Sequence, residues 1–157
     1  MVPTPNVYCL VSGTGEGVTE LNAFDKALLE AGIGDTNLVK MSSIVPPACK
    51  RVESLELPKG GLVPVAYAAM ESSLQGELIA AAIGVGIPED DTEPGVIMEY
   101  HGHCSAEEAK AMVTRMVEDA FDYRNRTLKE IQTVEVDYRV VDHGGAFAGA
   151  VLWYAGE

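Results

Sequence analysis

Between Ser105 and Arg124 the apolar residues Ala109, Met112, Val113, Met116, Val117, Ala120 and Phe121 recur every three or four positions, with charged residues in the gaps. That period matches the α-helical turn and leaves one unbroken apolar stripe. Ser105 and Glu108 have the spacing of a capping box, in which each side chain satisfies a backbone N–H that the first turn leaves unpaired. The pattern predicts a helix over 105–124. A second helix is predicted from about Thr19 to Ala31, with Thr19 as N-cap, Gly32 just past the end, and Leu21, Phe24, Leu28 and Ala31 at helical spacing.

The remaining pattern has strand character. Val7 to Val11 reads as a short apolar strand ending in a glycine-rich turn, SGTGEG. TNLVKMSSI reads as a strand stopped by Pro46-Pro47, because proline lacks the ladder donor and restricts the residue before it. KRVESLELPKGG reads as an exposed connection. LVPVAYAAME, ELIAAAIGVGI and GVIMEYHGH are three strands small and apolar enough to be covered on both faces. TVEVDYRVV alternates like a half-buried strand, and GGAFAGAVLWYA supplies a last, nearly continuous apolar one. Two separated helices that each need a sheet face, with hairpin-like strands between them, predict an α+β layered sandwich in a single domain.

Composition narrows the functional classes. Eleven Lys and Arg against 24 Asp and Glu give a net charge of −13. Such a chain repels phosphate backbones and contains no basic run, so nucleic acid is not expected as a partner. Cys9, Cys49 and Cys104 are odd in number and lack C-x-x-C spacing, which argues against a disulfide framework or a four-thiolate zinc site and fits a reducing cytoplasm. The stretch MVPTPNVYCLV has no basic region ahead of an apolar one, and no uncharged apolar run reaches spanning length, so no membrane partner is expected.

Three polar placements go against the surrounding pattern. Asp25 lies four residues after Leu21 and three before Leu28, which puts it on the apolar helix face. A carboxylate there needs a cation, either an internal Arg or Lys or a bound ligand. Glu99 alternates onto the same strand side as Ile97. On an apolar face it would favour the neutral, proton-bearing form that suits proton donation; at an edge it would simply face water. The third is Ser42-Ser43, two small hydroxyl residues where a strand asks for packing. A Ser-Ser pair by itself is more often a turn or edge feature. If the strand instead held the Ser43 hydroxyl against the Ser42 carbonyl, its effective concentration would reach about 10⁵ M or more. Backbone strain of roughly 1–3 kcal/mol would assist attack. Asn37, five positions before Ser42, offers an amide donor for the tetrahedral oxyanion.

Taken together, LNAFDKALLEAGIGDTNLVKMSSIVPP, GLVPVAYA, GVIMEY and GAFAGAVLWY closely resemble the pyruvoyl-dependent arginine decarboxylases, in consistent order from about Val7 to Tyr154. The resemblance implies an αββα layered sandwich of the pyruvoyl-dependent decarboxylase type, with mostly antiparallel strands covered by helices. It also implies that Ser43 attacks the Ser42 carbonyl, so that the chain self-cleaves into a β chain of residues 1–42 and an α chain of residues 43–157. A pyruvoyl group derived from Ser43 would then replace pyridoxal phosphate, and its keto group would condense with the α-amine of L-arginine and act as the electron sink for CO₂ loss. By the same resemblance Glu99 returns a proton to the substrate carbon, Asn37 assists self-cleavage, Asp25 receives the guanidinium, and Ser42 lies beside the substrate. Agmatine is the expected product, and a homotrimer with active sites between subunits the expected assembly.

Other readings compete. His101, His103 and Cys104 in HGHC could ligate a metal, but alternation separates the cysteine from the imidazoles and further ligands are lacking, so no metal is expected. SGTGEG lacks both G-x-G-x-x-G and the P-loop lysine. An unprocessed homologue that binds arginine or a protein partner, or a decarboxylase of another amino acid, is the alternative to the arginine enzyme.

Overall fold

The computed structural model describes residues 1–156. Its elements run β1 (Val7–Glu16), α1 (Glu20–Glu30), β2 (Asn37–Lys40), β3 (Ile44–Val45), β4 (Lys50–Arg51), β5 (Leu62–Ser72), β6 (Leu78–Pro88), β7 (Gly95–Gly102), α2 (Ala106–Tyr123), β8 (Leu128–Arg139) and β9 (Gly144–Trp153). The fold is mixed α+β. One sheet has the order β2-β5-β9-β1-β4 and the other β3-β7-β6-β8. Among the described residues only the β2–β5 and β1–β4 pairings are parallel.

Period-two alternation in β6 shows how the small apolar residues are used. Ile79, Ala81, Ile83 and Val85 point at the first sheet and join a core with Tyr8, Ala66, Ala68, Ala148, Ala150 and Leu152. Ala80 and Ala82 point the other way, onto Ala109 and Val113 of α2. Both faces of the strand are therefore buried, as its continuous apolar run requires. Gly84 and Gly86 continue the helix-facing row. A Cβ on Gly86 would lie 2.4 Å from the Phe121 ring, so the missing side chain is what admits that ring.

Both helices form where the caps predict. Ser105 Oγ accepts from the Glu108 N–H and Thr19 Oγ1 from the Asn22 N–H. α2 buries Ala109, Val113, Val117, Ala120 and Phe121 of the predicted stripe, while Met112 and Met116 are half-buried. α1 buries a different stripe from the expected one: Ala23, Ala27 and Leu28, while Leu21 and Leu29 stay exposed. The cause lies in β1. SGTGEG is not a turn, because β1 continues to Glu16 and pairs with β9 from Ser12↔Ala148 to Glu16↔Gly144. Its glycines form a track on which the alanines of α1 rest, and a Cβ on Gly13 would come within 2.1 Å of the Ala27 carbonyl oxygen. Small residues on both surfaces bring the backbones together, so the large residues of α1 do not define its buried face. Phe24 completes this packing against Tyr67 and Phe147, with centroids 6.3 Å and 6.1 Å away.

Candidate active site at the crossover between the sheets

The predicted strand TNLVKMSSI is broken in the middle. β2 ends at Lys40 in the first sheet and β3 begins at Ile44 in the second, so Met41, Ser42 and Ser43 carry the chain from one sheet to the other. Backbone hydrogen bonds hold both ends of this crossing: the Met41 N–H donates to Val65 O at 3.1 Å, and the Ile97 N–H donates to Ser43 O at 2.7 Å. The Ser42–Ser43 peptide bond lies between these two anchors and belongs to neither ladder. The expected backbone strain is not found at the pair. Among the described residues the non-glycine positions with positive φ are Ala48 (φ 61°) and Asn125 (φ 52°).

An open groove borders the crossing, lined by Lys40, Met41, Ser42, Ser43, Ile97, Met98, Glu99 and Met116. Ser42 is exposed and Ser43 half-buried. Glu99 reaches this groove from β7, where it pairs with Ile83 in the ladder. Its surroundings correct the expectation of an isolated acid on an apolar face. The side chain is 38% exposed, and Lys40 Nζ lies 3.3 Å from Oε1. The same ammonium sits 4.6 Å from the centroid of the Tyr67 ring. Lys40 is the residue that sequence reasoning missed. Its signal was available: it lies two positions before Ser42 on an extended chain and so shares that residue's side.

Asn37 and Asp25 do not join the groove of their own chain. Asn37 starts β2, about 10 Å of extended chain before Lys40 at the usual strand rise. Its amide donates to Gly60 O at 2.9 Å instead of pointing at the serine pair. Asp25 is exposed on the outer surface of α1, between the exposed Leu21 and Leu29 at i−4 and i+4. The expected desolvated carboxylate is therefore absent, for the packing reason given above: the glycine track draws Ala23 and Ala27 inward and turns Asp25 outward. The HGHC stretch ends β7, and His103 pairs through Nδ1 with the Glu77 carboxylate. No group of three or more His, Cys, Asp or Glu among the described residues could hold a metal ion. Likewise no described helix is long and apolar enough to cross a membrane.

The sequence profile of the family described as pyruvoyl-dependent arginine decarboxylase matches residues 7–154. The chain belongs to that family. A pyruvoyl-dependent arginine decarboxylase of Methanocaldococcus jannaschii is 49% identical over 150 residues, covering 96% of this chain and 91% of that protein. Proteins of the same description from Pyrococcus abyssi and Thermococcus sibiricus are 43% and 44% identical, with coverage of 96% of each chain and 95% of each chain respectively. Pyruvoyl-dependent decarboxylases carry their electrophile as a pyruvoyl prosthetic group rather than pyridoxal phosphate. The crossing suits such a group, because a serine stands at an exposed, externally anchored peptide bond, beside a groove with a carboxylic acid in its wall.

Proposed function

We propose that this chain decarboxylates L-arginine to agmatine after cutting itself between Ser42 and Ser43. The observation that carries this reading is the crossing itself: a Ser-Ser bond suspended between two sheets, tethered at Met41 and at the Ser43 carbonyl, in a chain of this family. The two tethers limit the crossing's freedom, which raises the effective concentration of the Ser43 hydroxyl at the Ser42 carbonyl. Attack forms a C–O bond and breaks the C–N bond, leaving an ester and a free amine on residue 43. Loss of the Cα proton from residue 43 and cleavage of its Cβ–O bond release Ser42 as a carboxylate. Water then displaces ammonia from the resulting dehydroalanine and leaves a ketone. The products are a β chain of residues 1–42 and an α chain of residues 43–157, within a single domain.

The pyruvoyl group supplies a ketone that captures the substrate amine and an electron sink for CO₂ loss. The protein supplies the rest. Glu99 holds the proton that returns to the substrate carbon, at the groove wall beside residue 43. Asp25 receives the guanidinium by charge-assisted hydrogen bonding, which favours arginine over neutral amino acids. Asn37 assists self-cleavage. Asp25 and Asn37 are both exposed and both lie outside their own chain's groove. A homotrimer with active sites between subunits accommodates that separation, since the neighbouring chain can bring the missing carboxylate. Exposed Leu21, Leu29, Val39 and Leu62 give such an assembly apolar surface to bury. The corresponding architecture is an αββα layered sandwich, and the corresponding compartment is the cytoplasm.

Denaturing mass spectrometry of active protein tests the reading. It should find two fragments, the larger lacking a free amine at its N-terminus. A single intact chain in active preparations would leave the unprocessed arginine-binding alternative standing.

A further inference from the structure

We propose that Lys40 is a positioning residue that aims Glu99 for proton return to the substrate carbon. The inference rests on the role given to Glu99 above. Lys40 is the only cation among the described residues lining the groove, and the only ion-pair partner of Glu99 among them. It reaches across from the first sheet to meet an acid on the second, spanning the same gap that the serine pair crosses. Its ammonium is held 4.6 Å from the Tyr67 ring centroid as well as 3.3 Å from Glu99 Oε1, so two contacts restrict a side chain that would otherwise sample many rotamers.

An exposed pair of this kind adds little to stability. Its use is directional. Glu99 gives up its proton when its O–H bond breaks and the substrate C–H bond forms, which leaves a carboxylate. That anionic form is the one an ammonium attracts, so Lys40 draws the spent acid back to one place. The next substrate's α-ammonium, which must lose a proton to become a nucleophile, can recharge it there. The released product amine takes its proton from water, so the balance closes. Lys40 belongs to the fragment ending at Ser42 and Glu99 to the fragment beginning at residue 43, so the pair also links the two after cleavage.

The test is Lys40→Met beside Lys40→Arg and Glu99→Gln. In ²H₂O a fixed donor places deuterium in one configuration at the new C–H bond of agmatine. Lys40→Met is expected to cleave normally, to keep KM within about threefold, to lose about tenfold or more in kcat, and to give deuterium in both configurations. Lys40→Arg is expected to restore a single configuration. In the uncleaved Ser43→Ala chain, which has no ketone, the ¹³C resonance of the Glu99 carboxylate should move when Lys40 becomes Met. An unchanged resonance, or a Lys40→Met enzyme with full kcat and one configuration, would overturn the inference. A Lys40→Met chain that stays uncleaved would assign Lys40 to the cleavage step and overturn it as well. If Glu99→Gln turns over normally, the proton-donor role itself has failed; an impaired Glu99→Gln beside a normal Lys40→Met removes only Lys40.

Discussion

The N–H of Ile97 in β7 donates to the carbonyl oxygen of Ser43 at 2.7 Å, and this bond brings Ser43 into the second sheet before β3 begins. It is a backbone contact, independent of the Ser43 side chain. Replacing Ser43 by Ala should therefore leave the crossing in place while removing the nucleophile. The expected Ser43→Ala protein folds, migrates as one chain under denaturing conditions, and releases no CO₂ from arginine. Decarboxylation by that variant would reject the cofactor assignment.

The proposed function gives Glu99 the proton return and not the cut, so Glu99→Gln should separate the two activities. Cleavage is expected to proceed to two fragments, while turnover falls by about 10²–10⁴, the usual scale for a lost proton donor. Fragment masses and the rate of CO₂ release, measured on the same sample, check both halves. Full turnover would remove Glu99 from the chemistry.

Asp25 is exposed, so changing it should not disturb the fold. Asp25→Asn keeps the shape and removes the charge that a guanidinium would meet. Arginine KM is expected to rise at least tenfold, about the value of one charge-assisted hydrogen bond, with little effect on citrulline. An unchanged preference for arginine over citrulline would contradict the guanidinium role.

Much of the fold was legible because the relevant forces are local. Ser105 and Thr19 act as caps through bonds within one helical turn, and the α2 stripe is a matter of period. What could not be read depended on contacts distant in sequence. Gly13 and Gly15 carry the same local signal whether they turn the chain or admit a helix, and only the presence of Ala23 and Ala27 above them decides. The exposure of Asp25 follows from that choice. TNLVKMSSI reads as one strand because nothing local marks the change of sheet; Val65 O and the Ile97 N–H, on either side of the crossing, create it. Lys40 and Glu99 are 59 positions apart, so their pairing is tertiary information.

The glycine track makes a stability prediction. A side chain at Gly13 meets the backbone of α1 at Ala27 and Ala31, which cannot rotate away as a side chain could. Gly13→Val should lift the helix from the sheet and cost about 1–3 kcal/mol or more. Gly32, at φ +84° with open space around its Cβ position, serves as a contrast. Gly32→Ala strains only the backbone, at about 1 kcal/mol. Thermal or denaturant unfolding of the uncleaved Ser43→Ala chain should rank Gly13→Val as the more damaging of the two.

The end of β1 should contribute to the response to acid and alkali. The Glu16 carboxylate accepts from the N–H groups of Val141, Asp142 and His143 at 2.7–3.1 Å, pinning the β8–β9 turn to β1. Burial pushes its protonation upward, but these amides and the Tyr138 hydroxyl outweigh it and hold Glu16 below its usual range. A carboxyl with a depressed folded value favours the native state above its unfolded value of 4.5, and that contribution is lost as pH falls through the folded value. On the other side, burial and then the bond to Glu16 push Tyr138 up to about 12, from an ordinary 10. The folded chain therefore loses stability as pH rises between those two values, where only the unfolded tyrosine ionises. Glu16→Gln keeps an acceptor oxygen but removes the charge behind both effects. The variant should be less stable at neutral pH, with a shallower decline below pH 4.5 and between pH 10 and 12 than the parent chain. Urea midpoints of the Ser43→Ala chain with and without Glu16→Gln, measured across pH, check this; parallel curves would remove Glu16 as the source of either slope.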